Sequence, residues 1–93
     1  MSAVRVDGQA TGANFNNPVS VTADLAGFFY IADRDNRRVL RYDLSGEFIQ
    51  RLDVEPNADG QPLLDPISVA VDDSLAYVAD LGRAQIIRYR RRP

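Results

Sequence analysis

The sequence contains no cysteine, no histidine and no lysine. Without cysteine, disulfides and thiolate zinc sites are excluded. Without histidine, the commonest metal ligand and the commonest general base are both missing. All eleven basic residues are arginine, and the formal net charge is -2, which argues against a general nucleic-acid binder. No apolar run approaches the roughly 20 residues of a membrane-spanning helix. The first residues lack the apolar core of a secretory signal, so the expected location is the cytoplasm. Only two glutamates occur, Glu47 and Glu55, one at an expected turn and one in an expected connector. No Gly-rich phosphate loop is present, and no serine lies in a nucleophile-elbow context.

What the sequence does contain is a repeat. PVSVTAD at 18–24 returns as PISVAVD at 66–72, an offset of 48. YIAD at 30–33 returns as YVAD at 77–80, and VLRY at 39–42 returns as IIRY at 86–89, both at an offset of 47. One residue is therefore lost in the turn between the first two runs. Each run is short and β-prone, and a period of this size built from strands indicates a propeller or a solenoid.

The first unit reads as four strands. Pro18 opens a run in which Val19, Val21 and Ala23 alternate with Ser20, Thr22 and Asp24. FFYIA at 28–32 is apolar at every position, as in a central strand buried on both faces. VLRY at 39–42 and FIQRL at 48–52 follow, separated by the turn at Ser45 and Gly46. A four-stranded antiparallel meander is the unit of a propeller blade. The second unit supplies three strands near 67–72, 75–79 and 85–90 and then ends. The missing fourth strand has a counterpart at the other end of the chain. AVRV at 3–6 aligns with RLDV at 51–54, and Phe15 aligns with Leu63, both at an offset of 48.

These residues resemble NHL repeats, a family of propeller blades. The family pattern runs P-x-G-[IV]-A-[VL]-D, then G-x-[IL]-Y-V-[AT]-D, then x-x-N-x-R-[IV]. Pro18, Val21 and Asp24 match the first part. Tyr30, Ile31, Ala32 and Asp33 match the second, and Asn36, Arg38 and Val39 match the third. The resemblance covers nearly the whole chain. It departs at Ser20 and Ser68, where the family has glycine. It departs again at Arg83 and Gln85, which replace the asparagine and arginine that follow Asp80, and Gly82 is a candidate for holding that turn instead. The resemblance implies an all-β fold of four-stranded blades.

The expected domain is a single two-blade unit spanning 1–93. Blade one covers 18–52, three strands of blade two cover 66–90, and 3–6 is an outer strand given to a neighbouring subunit. Both faces of a blade are apolar, so two blades leave two faces wet, and such patches mark association surfaces. A head-to-tail contact repeated by rotation closes a ring. The resemblance implies six blades, hence a homotrimer, with a tetramer as the other closure. Val4, Val6, Phe28, Phe29, Tyr30, Ile86 and Tyr89 are the expected assembly residues.

Asp33, Asn36, Arg38 and Asp80 are expected to hold turns: the carboxylates and amide accept from turn amides, and Arg38 forks onto Asp33. Asp24 and Asp72 end the innermost strands and are expected at the channel mouth, where a carboxylate ring could attract a cation. No catalytic residue, metal site or cofactor is expected, and the expected function is a binding or scaffold module for a protein or small-molecule ligand. Two other classes stay open. One is a hydrolase or lyase with a metal in the channel. The other is an RNA-binding propeller using Arg88, Arg90, Arg91 and Arg92 beside Tyr89.

Overall fold

The computed structural model describes residues 3–54, 61–72 and 74–90. Two antiparallel sheets make up the fold, and among the described residues the only helical segments are three short 3-10 turns. The first sheet holds β1 (Pro18–Ala23), β2 (Phe28–Asp33), β3 (Arg38–Asp43) and β4 (Phe48–Arg51) in sequential order. The second holds β5 (Pro66–Val71), β6 (Leu75–Asp80) and β7 (Gln85–Arg90), again in order. Residues 91–93, including Arg91 and Arg92, lie outside the described residues.

The repeat is reproduced in backbone detail. The β1–β2 ladder shifts register between Pro18 and Ser20, and the β5–β6 ladder shifts between Pro66 and Ser68. Proline has no N–H to give the ladder, so it sits where pairing is irregular. Each second strand ends in a 3-10 turn, Arg34–Asn36 or Leu81–Arg83. A left-handed residue closes each turn, Arg37 and Ala84, both at φ 54°. Neither is glycine, so both turns keep a conformation that costs energy and that the surroundings must enforce.

Strand alternation divides the apolar side chains between two layers. Tyr30, Ala32, Val39 and Leu52 of the first half meet Leu63, Val69, Ala76, Val78 and Tyr89 of the second, forming a buried core between the sheets. The other side of the first sheet carries Ile31, Leu40 and Tyr42, with Val6, Phe15, Phe29 and Phe48 packed against them. Tyr42 is the hub of this outer cluster. Its ring stacks on Phe29 at 5.5 Å and meets Phe48 and Phe15 edge-on at 5.7 and 6.1 Å. β2 is thus buried on both sides, as its unbroken apolar run requires.

Residues 3–6 form no strand in this single chain. Val4 and Val6 instead lie against the outer face of the first sheet beside Gly46. Gly46 has a φ of 92°, and a Cβ built there would stand 2.7 Å from Val4 Cγ1. Only glycine suits both the turn and that approach.

Candidate functional site

Asp33 is fully buried at the end of β2. One carboxylate oxygen accepts from the Asn16 backbone N–H at 2.7 Å. The other accepts from Asn36 Nδ2 at 2.8 Å and from Arg38 Nε at 2.7 Å. Arg38 then reaches past the turn. Its Nη1 donates to Thr11 Oγ1 at 2.6 Å and its Nη2 to the Ala13 carbonyl at 3.0 Å. The fork between Arg38 and Asp33 expected from the sequence is present. Asn36 acts as a donor, to Asp33 and to the Asn14 carbonyl, rather than as an acceptor. The amide that Asp33 binds comes from the preceding connector, not from its own turn. The cluster therefore fastens residues 11–16 to the first sheet.

Asp80, also buried, does the same in the second unit. It accepts from the N–H groups of Leu64 and Asp65 at 3.0 and 2.8 Å. Arg83 stands 4.0 Å from Asp80 and gives its Nε hydrogen to the Pro62 carbonyl at 3.0 Å. The turn is also tight. A Cβ on Gly82 would meet Leu64 Cβ at 2.6 Å, so this position keeps its close approach to the connector only as glycine.

Asp24 and Asp72 follow the first strand of each sheet and have matching partners. Asp24 accepts from the N–H groups of Ala26 and Phe28 and from Tyr30 Oη, the last at 2.6 Å. Asp72 accepts from the N–H groups of Ser74 and Leu75 and from Tyr77 Oη at 2.9 Å. The hydrogen bond to Asp72, with some desolvation, raises the Tyr77 phenol above its ordinary pKa. Among the described residues no group of three or more acidic side chains is placed to hold a metal ion.

The sheets meet where β5 packs on β1 and β2. Polar contacts cross this junction as well. The Val69 N–H donates to Ser20 Oγ at 3.3 Å, which gives the Ser20 side chain a role at the junction. Arg34 makes a two-pronged ion pair with Asp65, at 2.6 and 3.0 Å, with side chains 35% and 28% exposed. Neither Arg34 nor Asp65 belongs to a repeated run, so the sequence offered no signal for the pair. Arg41 is buried at the same junction, its guanidinium 3.9 Å from the centre of the Phe28 ring and bonded to Gln50.

The residues expected to drive assembly divide by strand parity. Tyr30 and Tyr89 are buried in the internal core, and Phe28 packs beside them. Phe29, Val4 and Val6 belong to the outer side of the first sheet, around a groove of about 440 Å³ that Phe15, Val19 and Val21 also line. Ile86 lies on the outer side of the second sheet, in a recess of about 210 Å³ shared with Ile67, Ala79 and Leu81. Of the terminal arginines, Arg88 and Arg90 are exposed.

Neither the protein-family models nor the curated proteins searched contain a match to this chain.

Proposed function

We propose that the chain is a two-blade unit of an NHL-like β-propeller that assembles head to tail with copies of itself and serves as a binding scaffold. One observation carries this reading: both halves of the internal junction have repeat counterparts on the outside. Leu63, Val69, Val78 and Tyr89 face the first sheet across the core. Their counterparts Phe15, Val21, Ile31 and Tyr42 lie on the outer side of the first sheet. Ala32 and Val39, which receive them, have counterparts Ala79 and Ile86 on the outer side of the second sheet. Val21 is 68% exposed and Ile86 69%, although each copies a buried position. A surface that repeats the two sides of its own core is complementary to itself by a single head-to-tail operation, which closes a ring when its rotation divides a full turn.

Three copies give six blades. Ligands, whether protein or small molecule, would meet the turns at the strand ends, where a rigid sheet presents variable loops. The reading is non-catalytic because Asp24, Asp33, Asp72 and Asp80 all have their oxygens engaged by backbone amides and neighbouring side chains. Light scattering tests the assembly. The expected mass is three times the 10.3 kDa chain. A well-folded monomer at micromolar concentration would overturn the proposal.

A further inference from the structure

The N-terminal run has two seats, and the second rests on the self-assembly reading above. In the single chain Val4 and Val6 cover the outer face of the first sheet, with Val6 packed on the Ile31, Leu40 and Tyr42 cluster. This is the face that a second copy would have to occupy. The repeat assigns the same run elsewhere. At an offset of 48, residues 3–6 fall on 51–54, where β4 ends at Arg51 and the chain crosses to the second sheet. There the Leu52 N–H donates to the Val39 carbonyl at 2.9 Å, and the Leu52 side chain is fully buried in the core with Val39. The counterpart of Val39 is Ile86, and among the described residues no strand lies beyond β7 to cover it.

We infer that residues 3–6 are a two-position strap, closed over blade one in the lone chain and swung out on assembly, with Val4 covering Ile86 of the neighbouring copy. Neither seat is complete. In the closed seat Val4 stays 56% exposed, and the Tyr42 hydroxyl below the cover is buried without a hydrogen-bond partner among the described residues. In the open seat Ala3 alone aligns with a strand residue, Arg51, so the exchange is a short edge contact with Val4 as its apolar plug. Arg5 would fall on Asp53, whose carboxylate accepts from the Val39 N–H at 3.1 Å, and an arginine cannot accept that bond. Two imperfect seats of the same kind make a segment that docking can displace. The strap thus hides the sticky face until a partner arrives, and then seals the joint.

The chain has no cysteine, so a paired Val4→Cys and Ile86→Cys variant gives an unambiguous disulfide readout. Within one chain these residues sit on the outer sides of different sheets. Oxidation at assembling concentration should therefore produce covalent dimers and trimers, and oxidation after dilution to monomer should produce none. An assembly of the expected mass with no disulfide between copies overturns the strap while leaving self-assembly standing. A wild-type chain that stays monomeric overturns both. A second variant, Val4→Ala with Val6→Ala, keeps the full chain. It should associate several-fold faster, because the cover is weaker, and dissociate several-fold faster, because the plug is smaller. Unchanged or slower association overturns the strap.

Discussion

Asp33 and Asp80 end equivalent strands and grip equivalent connectors, yet they do so with different company. Asp33 has a guanidinium at 2.7 Å whose other nitrogens hold Thr11 and Ala13. Asp80 has two connector amides and an arginine at 4.0 Å that is turned to a carbonyl. What the two share is the carboxylate accepting from the preceding connector. The arginine is an addition, and the packing explains where it is needed. The second connector is held by Leu63, 1% exposed in the core between the sheets, and by Asp65 paired with Arg34. The first connector has Phe15, only half-buried, on a face that no second sheet covers among the described residues. The unit with weaker apolar anchorage carries the stronger polar clamp.

The largest expected effect is therefore the contrast between Asp33→Ala and Asp80→Ala. Removing Asp33 strands the Arg38 guanidinium, whose side chain is 5% exposed, and breaking a buried pair costs about 3–5 kcal/mol. A domain of this size has on the order of 5–14 kcal/mol in total, so that variant should be largely destabilised. Removing Asp80 leaves two amides unpaired but no buried charge. Both amides are only partly buried and within reach of water, so the total should stay at about 1–3 kcal/mol. Urea unfolding of the two variants checks the ranking. An equal loss would mean that Arg38 contributes nothing the Asp80 turn lacks.

The strands were legible because each is a short β-prone run between turn residues, and the first three recur at an offset of 47 or 48. The division into two sheets, the presence of turns after Asp33 and Asp80, and the absence of a fourth strand beside β7 in the described residues all follow from the alignment of two copies. The partners of Asp33 were not legible. Thr11, Ala13 and Asn16 sit in a polar Gly/Asn stretch with no periodicity, and only the fold brings them within reach of Arg38. Alignment reads what recurs, so it also passed over Arg34 and Asp65, which occur once. It gave residues 3–6 a strand position, but a strand needs an edge to pair with, and in one chain the β7 edge is on the far side of the second sheet.

A second pair of variants sharpens the same comparison. Leu63→Ala removes a fully buried side chain from between two sheets and should cost about 2–5 kcal/mol. Phe15→Ala removes its repeat counterpart from a half-covered face, where partial burial of an aromatic contributes about 1–2 kcal/mol. Measured on monomer, Leu63→Ala should be the worse of the two. Measured on the assembly, the cost at Phe15 should rise toward that at Leu63, because the proposed docking would give it the same environment. A Phe15 cost that does not change with protein concentration would separate the two faces for good.

The smallest expected effect concerns an ion pair that distinguishes the internal junction from a joint between copies. The counterparts of Arg34 and Asp65 are Leu81 and Asn17, so no ion pair of this kind can recur on the outside. The hydrogen bond and charge of Arg34 hold the Asp65 carboxyl below its ordinary pKa. A carboxylate depressed in the folded state stabilises the fold above its unfolded pKa, about 3.9, and loses that contribution as pH falls through the lower folded value. Arg34→Leu, which copies the residue at Leu81, abolishes the pair without adding a polar group. The urea midpoints of wild type and variant should therefore differ at pH 7 and converge as pH drops below about 4, the pH region set by that unfolded pKa. Added salt should narrow the gap at pH 7 as well, since both side chains are about a third exposed. A gap that stays the same at pH 7 and pH 3 would assign it to packing of the arginine stem, and the internal junction would then be held by the same apolar contacts proposed for the joints between copies.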